Sequence, residues 1–274
     1  MKDILSTFSL KGKKAVVTGG MGTLGSAIAK GLGKAGAKVA ICDKASTSSV
    51  VAHLKKEGIK AKGYYVDLMD KKKIMMCHNK VIKDFGRVDI LVNAAGGMIE
   101  EATTSKDLSF FDLSLSGLEK MVELNLFAGV ILPCQIFGKS MVTNEEGGSI
   151  INISSTSSFR PLSRVPAYSA TKAAVNNFTR WLAVHFAKEY GKNVRVNAVA
   201  PGFFLTRMNY HLLLDDKDNL TERGKSIIAH TPMGEFGYPD DLTGVCIWLS
   251  SDAARFVTGA LIPVDGGFSA FSGV

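Results

Sequence analysis

The stretch VVTGGMGTLGSAIAKGL (residues 16–32) places a glycine-rich turn between a short apolar run and an amphipathic segment. A strand followed by such a turn and a helix lets backbone N–H groups and the helix N-terminus face a pyrophosphate. Many glycine-rich turns exist for conformational reasons only, so the position of this turn between a strand and a helix is the main evidence for phosphate binding. The predicted phosphate-binding residues are Thr18, Gly19, Gly22, Thr23, Leu24 and Gly25.

An acidic residue, Asp43, ends the next apolar run, roughly 20 residues beyond the turn. A carboxylate at this position can accept hydrogen bonds from the adenosine ribose, and it would repel a 2′-phosphate. The sequence therefore predicts NAD as the cofactor. The ammonium group of the neighbouring Lys44 could tolerate a phosphate, so NADP is not excluded.

Short apolar runs alternate with longer amphipathic segments along the whole chain. Uniformly apolar runs are typical of parallel strands that helices cover on both faces. We therefore predict an α/β fold, namely a single-domain, Rossmann-type, doubly wound parallel sheet of about seven strands with helices on both faces, over residues 1–274. The predicted strands are 14–19, 38–43, 62–67, 88–96, 148–155, 194–202 and 259–267.

Two long connections interrupt this alternation, residues 97–118 and residues 203–236. Each follows the carboxyl end of a predicted strand, which is the edge of an open α/β sheet where ligands bind. Long connections in compact domains are usually functional lids or disordered. We predict a substrate loop or lid at about 203–236.

The composition is that of an ordinary globular protein, with 46% hydrophobic and 21% charged residues. No apolar run in the sequence approaches the ~20 residues that a membrane-spanning helix needs. The N-terminus lacks the apolar core of a secretory signal. These patterns predict a cytoplasmic protein without membrane contact.

The net charge of +8 is spread along the chain and not gathered in a tail, and no nucleic-acid reading motif is present. We therefore predict no nucleic-acid partner, since an anionic cofactor and substrate also suit a basic protein. The cysteines lack the paired spacing of zinc sites, so we predict buried hydrophobic residues and no metal. They are Cys42, Cys77, Cys134 and Cys246.

The segment YSATK (168–172) begins a predicted helix, and Ser155 stands thirteen positions before Tyr168 at the end of a predicted strand. Tyr168 and Lys172 are four residues apart and share one helix face. An adjacent ammonium favours the phenolate and lowers a phenol pKa that is ordinarily near ~10. The serine hydroxyl can hold a substrate oxygen in line with the phenol. The three side chains together predict proton transfer coupled to hydride transfer.

These motifs, in this order, resemble the short-chain dehydrogenase/reductase family over essentially the full length of the chain. The shared set also includes NAAG at 93–96, an asparagine in the fourth predicted helix, and PGFFLT at 201–206. The family's middle turn glycine is Thr23 here, which puts the detailed conformation of the turn in doubt. A threonine hydroxyl can itself bond a phosphate oxygen, so the prediction of nucleotide binding stands.

The resemblance implies roles for individual residues. Asn125 would anchor a water molecule in a proton relay with Lys172, and Lys172 would also bind the nicotinamide ribose. Asn93 would support the glycine turn, Thr206 would contact the carboxamide, and the residues after the third strand would lie at the adenine. The implied catalytic set is Asn125, Ser155, Tyr168 and Lys172. Further implied cofactor residues are Asp67, Leu68, Asn93, Ala94, Gly96, Tyr168, Lys172, Pro201, Gly202 and Thr206.

Longer segments are similar to the D-mannonate oxidoreductase (fructuronate reductase) branch of this family, in which the middle turn glycine is also commonly replaced. They are residues 8–20, 152–191, 199–209, 219–242 and 262–274. The resemblance implies reversible hydride transfer between NAD(H) and D-mannonate or D-fructuronate. It also implies a homotetramer, because C-terminal segments of the family commonly pack across subunits.

A sugar acid carries a carboxylate, which arginine can bind through two parallel N–H groups. The candidates are Arg160, Arg164 and Arg207, with Asn209 for hydroxyl groups, and Arg164 is the first choice. Ser157 and His230 are further options, although His230 fits a structural role better. Alternatively, these arginines are surface or subunit-interface residues.

Three other functions stay open at this point. The first keeps the chemistry and changes the substrate to another sugar acid or polyol, as in a gluconate 5-dehydrogenase. The second is a 3-oxoacyl reductase, which would tend to use NADPH and which Asp43 argues against. The third is a non-catalytic NAD-binding regulator, which would be expected to lack part of the catalytic set.

Overall fold

Seven parallel strands form one sheet in the computed structural model, which describes residues 3–207 and 209–273. They are β1 (Lys14–Thr18), β2 (Lys38–Asp43), β3 (Ala61–Tyr65), β4 (Ile90–Asn93), β5 (Gly148–Ile153), β6 (Val194–Pro201) and β7 (Leu261–Val264). Their order across the sheet is β3-β2-β1-β4-β5-β6-β7. Each strand overlaps a predicted run, and the predicted Rossmann-type sheet is confirmed.

Helices connect the strands and cover both faces of the sheet. They are α1 (Thr23–Lys34), α2 (Ser48–Lys56), α3 (Lys71–Phe85), α4 (Leu115–Val122), α5 (Leu132–Met141), α6 (Pro166–Glu189), α7 (Tyr210–Leu213), α8 (Glu222–Ala229) and α9 (Thr243–Ser250). A π-helical segment, Glu123–Ile131, joins α4 to α5.

Neighbouring residues on a strand point to opposite faces, and each face packs against its own apolar core. On β1, Ala15 and Val17 lie in the core shared with α1 and α9, whereas Val16 lies in the core shared with α3, α5 and α6. Because helices cover both faces of the sheet and exclude water, apolar residues occupy nearly every strand position. This is the physical reason why the strands lack a polar alternation in the sequence.

The helical run Leu115–Met141 differs from one prediction of the sequence analysis. It is 27 residues long and has a mean hydropathy of 1.5 in its most apolar window, so by length and composition it could cross a membrane. The prediction that no segment is long and apolar enough to span a membrane was therefore wrong for this helix. Half of this window is buried inside the protein, as in the core helix of a globular domain. The helix packs on the sheet through residues such as Phe137 and Met141.

All four cysteines are free and buried, which confirms their prediction as core residues. Burial raises the pKa of Cys134 and Cys246 to about 12. In the described ranges, no three histidine, cysteine, aspartate or glutamate side chains gather into a group that could hold a metal ion.

The two long connections both leave the carboxyl edge of the sheet, as predicted. Residues 97–118 follow β4 and contain two short 3-10 turns before α4 begins at Leu115. Residues 203–236 follow β6 and contain α7 and α8. This second connection, the lid segment, has a small core of its own, formed around Leu213, Ile227 and Phe236.

Candidate active site

The glycine turn between β1 and α1 depends on close backbone approaches. Gly19 has a φ of 62°, and a β-carbon there would lie 2.7 Å from backbone atoms of Ala95. A β-carbon on Gly25 would clash with the Gly19 carbonyl. Gly22 donates its N–H to the Gly19 carbonyl at 3.0 Å and is the N-cap of α1. These contacts bring the N-terminus of α1 against the end of β1, as a pyrophosphate site requires.

Thr23, the departure from the family pattern, causes no strain in this turn. It is the first residue of α1, and its φ is not among the positive values of the described non-glycine residues. The position therefore does not need the conformational freedom of glycine. Its hydroxyl lies 3.5 Å from the N–H of Arg207 in the lid segment. Thr23 thus connects the glycine turn to the lid.

Asp43 stands at the end of β2, beside the glycine turn. Its Oδ2 accepts the Met21 N–H at 3.0 Å, and its Oδ1 accepts the Ala45 N–H at 2.9 Å. The carboxylate therefore holds the turn in position, and each oxygen keeps a lone pair for another donor. Its predicted contact with the ribose stays a prediction.

Asn93, at the end of β4, is buried and lies beside Thr18 of β1 in the sheet, and its predicted support of the glycine turn stays a prediction. Its Nδ2 donates to Asn152 Oδ1 at 2.9 Å and lies 3.2 Å from Cys134 Sγ. Asn152 in turn donates to the Thr179 hydroxyl at 2.9 Å. This chain of polar contacts ties β4 to β5 and to α6. Ala94 and Gly96 continue from it toward the carboxyl edge of the sheet.

Asp67 and Leu68 lie in the turn after β3. Asp67 Oδ1 accepts the N–H of Met69 at 3.1 Å, which shapes this turn. Leu68 is partly buried against the core on the α3 face. Both residues therefore lie at the carboxyl edge of the sheet, where the family resemblance places the adenine.

Ser155, Tyr168 and Lys172 meet where the end of β5 faces the first turns of α6. The Ser155 side chain lies near enough to the Tyr168 hydroxyl to lower the pKa of the phenol. The Lys172 Nζ donates to the Ile153 carbonyl at 2.9 Å and lies 5.6 Å from the centre of the Tyr168 ring. The Ser155 hydroxyl also accepts the Ser157 N–H at 3.2 Å. The structure therefore brings together the three side chains that the sequence analysis grouped.

The pKa of Tyr168 differs from the sequence expectation. Burial raises the pKa of Tyr168 above its ordinary value, while the hydrogen bond with Ser155 acts in the opposite direction. Burial also lowers the pKa of Lys172 to about 8. The expected lowering of the phenol pKa by an adjacent ammonium is not seen, because Lys172 does not contribute to the shift and desolvation of the buried phenol dominates it. The lysine also points to the Ile153 carbonyl.

Asn125 lies in the π-helical segment and binds the strand-to-loop connection after β4. Its side chain forms two hydrogen bonds with the backbone of Gly97 and one with the Met121 carbonyl. A β-carbon on Gly96 would lie 2.7 Å from Asn125 Oδ1 and 3.7 Å from Lys172 Nζ. Asn125 Oδ1 and Lys172 Nζ therefore both lie close to Gly96. The predicted relay through a water molecule stays a prediction.

Pro201 ends β6, Gly202 follows it, and Thr206 lies near the start of the lid segment. A β-carbon on Gly202 would lie 2.6 Å from the Asp265 side chain, so β6 and the segment after β7 meet closely here. Thr206 donates both its N–H and its hydroxyl to Asn209 Oδ1, at 2.8 and 2.9 Å. Asn209 also donates to the Phe204 carbonyl at 2.8 Å. Asn209 thus positions Thr206, a connection that the sequence analysis did not predict.

The three predicted arginines lie in different surroundings. Arg160 donates to the Phe271 carbonyl at 2.7 Å and so holds the C-terminal segment. Arg207 is exposed on the lid segment, and Arg164 is exposed in the loop before α6. Of the two further options, Ser157 has a buried hydroxyl that no described residue bonds, and His230 Nδ1 lies 2.7 Å from the Ser226 carbonyl.

A fourth arginine, Arg223 on α8, was missed by the sequence analysis. It is partly buried, and burial lowers its pKa, with the charge of Arg164 as the second cause. Nothing in the local sequence marks this residue, because its partial burial depends on how residues 203–236 fold.

A family model with the description "Enoyl-(Acyl carrier protein) reductase" matches residues 20–269. The match covers most of the chain, including the glycine turn from Gly20 onward, the Ser–Tyr–Lys set and the lid segment. The chain belongs to the short-chain dehydrogenase/reductase family. The description names one activity within that family, so it does not give the substrate of this dehydrogenase.

Individual relatives match this dehydrogenase over nearly its whole length. The uncharacterized oxidoreductase UxuB of Bacillus subtilis (strain 168) is 43% identical and covers 97% of this chain and 98% of its own. The 2-dehydro-3-deoxy-D-gluconate 5-dehydrogenase of Dickeya dadantii (strain 3937) is 34% identical, with 97% and 99% covered. A solved structure of a candidate D-mannonate oxidoreductase from Haemophilus influenza, with bound NAD, has 40% identity and a TM-score of 0.90, with 99% and 100% covered.

Proposed function

We propose that this protein is an NAD(H)-dependent oxidoreductase that interconverts a secondary alcohol and a ketone of a sugar acid, with D-mannonate and D-fructuronate as the pair. The observation that carries this proposal is the meeting of Ser155, Tyr168 and Lys172 at the carboxyl edge of the sheet. These three groups supply acid–base chemistry beside the place where the fold binds a dinucleotide.

The residues around the glycine turn fit a dinucleotide. A β-carbon on Gly19 or Gly25 would clash with neighbouring backbone, so these glycines let the turn pack closely against the start of α1, where a pyrophosphate would bind. Asp43 presents a carboxylate to the neighbouring ribose position, which favours NAD over NADP. The solved candidate D-mannonate oxidoreductase contains NAD, which supports the same choice. Lys44 is exposed, so NADP is not excluded.

In the proposed mechanism the cofactor transfers a hydride and the side chains transfer a proton. When bound, the nicotinamide ring supplies a hydride to the carbonyl carbon or accepts one from the alcohol carbon. Ser155 holds the substrate oxygen near the phenol of Tyr168. Tyr168 donates a proton to that oxygen during reduction and removes it during oxidation, so the ketone gains one hydride and one proton. Lys172, whose Nζ lies 5.6 Å from the centre of the Tyr168 ring, would bind the nicotinamide ribose.

The substrate class is supported by two relatives that share a carboxylate-bearing substrate. One is a candidate D-mannonate oxidoreductase and the other a 2-dehydro-3-deoxy-D-gluconate 5-dehydrogenase. A gluconate 5-dehydrogenase-like activity is therefore the second candidate. A 3-oxoacyl reductase fits less well because of Asp43. A non-catalytic regulator would not need Asn125, Ser155, Tyr168 and Lys172 together.

The first test is an assay of NADH absorbance with purified enzyme and a panel of substrates. D-fructuronate, D-tagaturonate, 5-ketogluconate and an acetoacetyl thioester are each supplied with NADH and with NADPH. Fast oxidation of NADH with fructuronate supports the proposal. Turnover of only 5-ketogluconate would favour the second candidate, and turnover of only the thioester would exclude a sugar acid.

The mechanism is tested separately with Tyr168→Phe, which removes the hydroxyl and keeps the ring. We expect kcat to fall by about 100-fold or more, because a general acid–base group typically contributes that much. NADH binding, measured by fluorescence, should change little. Turnover near the wild-type rate would contradict the assigned role of Tyr168.

We further propose a homotetramer located in the cytoplasm. Trp181 and Val184 on α6 and Phe127 on the π-helical segment are about half exposed in the single chain. Large apolar side chains on neighbouring helices are typical of subunit interfaces. Light scattering should give the mass of four chains of 29.3 kDa, and a monomer would contradict the proposal.

A further inference from the structure

Residues 265–271 form a tight turn after β7, the C-terminal turn, and the side chain of Asp265 closes it. Its Oδ1 accepts the Gly267 N–H at 3.0 Å, and its Oδ2 accepts the Ser269 N–H at 2.9 Å. Gly266 and Gly267 have left-handed φ values of 61° and 88°, which glycine adopts without strain. Because glycine has many accessible conformations, the two hydrogen bonds to the carboxylate select this one.

The C-terminal turn contacts the start of the lid segment. Gly202, the residue before that segment, donates its N–H to the Val264 carbonyl at 2.9 Å. A β-carbon on Gly202 would lie 2.6 Å from the β-carbon of Asp265, so the two backbones are as close as a glycine allows. The rings of Phe203 and Phe268 meet edge to face, with their centroids 5.1 Å apart. The start of the lid segment is therefore packed against the C-terminal turn.

The same turn contacts the end of the lid segment. The Met233 N–H donates to the Gly266 carbonyl at 3.1 Å. A β-carbon on Gly266 would lie 2.8 Å from Thr231 Cγ2, and one on Gly267 would lie 3.1 Å from Pro232 Cγ. Both ends of the lid segment therefore rest on one short turn.

A third contact joins the C-terminal turn to the loop between Ser155 and Tyr168. The guanidinium of Arg160, on that loop, donates to the Phe271 carbonyl at 2.7 Å. The backbone N–H of Arg160 donates to the Thr156 carbonyl at 3.2 Å, directly after the catalytic serine. The C-terminal turn is thus hydrogen-bonded both to the lid segment and to the loop that follows Ser155.

The lid segment and the loop after Ser155 leave neighbouring strands at the carboxyl edge of the sheet. The Ser154 N–H, at the end of β5, donates to the Val199 carbonyl of β6 at 2.7 Å. A substrate oxygen at the Ser155 hydroxyl would lie between the loop and the lid segment. A displacement of about 1 Å between reacting groups can lower a rate by about 100-fold. The spacing of these two segments therefore matters for turnover.

We propose that Asp265 is a positioning residue for the reaction: through the C-terminal turn it holds the lid segment and the loop after Ser155 at the spacing that a bound substrate requires. Asp265 acts through the turn and not on the reacting atoms. This inference deepens the proposed function and rests on it, because it concerns the same site. The turn follows the last strand of the sheet, so its loss leaves the strands and the catalytic side chains in place.

The test compares Asp265→Ala with the wild type on whichever substrate of the panel the wild type reduces. Both hydrogen bonds to the turn are lost, and we expect kcat/KM for that substrate to fall about tenfold or more. The Kd for NADH should stay within about threefold, because the glycine turn and Asp43 are unaffected. Asp265→Asn keeps an oxygen for the Gly267 N–H and loses the acceptor for the Ser269 N–H, so its kcat/KM should be intermediate.

The matched control is Asp240→Ala, which removes an exposed carboxylate outside the lid segment and the C-terminal turn. We expect its kcat/KM to stay within about twofold of the wild type, since exposed substitutions of this kind have small effects. An equal fall in Asp240→Ala and Asp265→Ala would overturn the inference, because the loss of a negative charge alone would then explain both.

Limited proteolysis reports on the lid segment without any substrate. Trypsin cleaves after lysine and arginine, and Lys217 and Arg223 lie within the lid segment. In Asp265→Ala we expect cleavage at these residues to be several-fold faster, because both ends of the segment lose a fixed neighbour. Mass spectrometry of the fragments locates the cuts. Cleavage at the wild-type rate would overturn the inference.

Urea denaturation separates a positioning role from a general loss of stability. If Asp265→Ala loses turnover and NADH binding together, and is partly unfolded under the assay conditions, the residue is structural and the inference is wrong. If the wild type reduces no substrate of the panel, the proposed function fails, and proteolysis alone then shows whether Asp265 holds the lid segment. If the wild type is active and Asp265→Ala matches it, the inference is wrong and the function stands.

Discussion

The side chain of Asn125 forms hydrogen bonds with both the N–H and the carbonyl group of Gly97. Its Oδ1 accepts the Gly97 N–H at 3.0 Å, and its Nδ2 donates to the Gly97 carbonyl at 2.9 Å. The wide turn of the π-helical segment Glu123–Ile131 places Asn125 at this point. A β-carbon on the adjoining Gly96 would lie 3.7 Å from Lys172 Nζ, so Asn125 fixes the connection after β4 close to the catalytic helix.

Replacing Asn125 with alanine should therefore disturb both stability and turnover. The Gly97 N–H and carbonyl would lose partly buried partners, at a cost of about 1–3 kcal/mol in the free energy of unfolding. We expect kcat to fall more than the KM for NADH rises, because the residue positions the catalytic side of the site. Chemical denaturation and steady-state kinetics measure the two effects. As a control, Asn79→Ala removes an exposed amide on α3 and should change neither.

Lys172 is expected to lower the stability of the folded protein at neutral pH. Its pKa is about 8 in the folded state, against a reference value of 10.5. Between these values the unfolded chain binds more protons than the folded one, so this residue makes the free energy of unfolding rise with pH. Lys172→Met should therefore be more stable than wild type near neutral pH, by roughly 3 kcal/mol at most.

That advantage should shrink as the pH is raised through the window from 8 toward 10.5, because the wild-type lysine becomes neutral. Urea denaturation of both proteins at several pH values measures the difference directly. A variant less stable than wild type at neutral pH would show that the hydrogen bond to the Ile153 carbonyl outweighs the desolvation of the ammonium. Activity should be lost in the variant at every pH.

Asp43→Asn should narrow the preference for NAD over NADP while leaving the glycine turn intact. The amide oxygen can still accept the Met21 N–H, whereas the negative charge that repels a 2′-phosphate is gone. The ratio of kcat/KM for NADH and NADPH measures this change. Glu145→Gln removes an exposed carboxylate elsewhere and should leave the ratio unchanged. If Asp43→Asn also leaves it unchanged, the carboxylate does not face the ribose.

Asn209→Asp tests how the lid segment positions Thr206. The carboxylate can still accept both hydrogen bonds from Thr206, but its second oxygen would face the Phe204 carbonyl in place of the Nδ2 donor. We expect a KM for NADH raised several-fold, about 1 kcal/mol in binding, with little change in global stability. Asn79→Asp, on the exposed side of α3, supplies the control for added charge. An unchanged KM for NADH would contradict the positioning role.

Local patterns account for the parts of this protein that the sequence predicted well. Uniformly apolar runs predicted all seven strands, since a strand covered on both faces has few positions for polar side chains. The spacing of Tyr168 and Lys172 predicted their shared helix face, because four residues make about one helical turn. The glycine turn was predicted from its place between a strand and a helix.

The predictions that differed depended on burial or on contacts between distant segments. The direction of the Tyr168 pKa shift follows from desolvation. The length and hydropathy of the Leu115–Met141 helix could be seen only in the structure, where α4, the π-helical segment and α5 form one continuous helix. Thr23 looked like a doubtful replacement, yet its place at the start of α1 needs no glycine.

The sequence by itself therefore determined the parallel sheet, the family and the grouping of the catalytic side chains, because each depends on residues close together in the chain. Tertiary structure alone decided the hydrogen bonds of Asn125 with Gly97, the hydrogen bonds of Asn209 with Thr206 and the pKa shifts of the buried groups. The physical reason is that desolvation and close approach depend on distances in space between segments that are far apart in the chain.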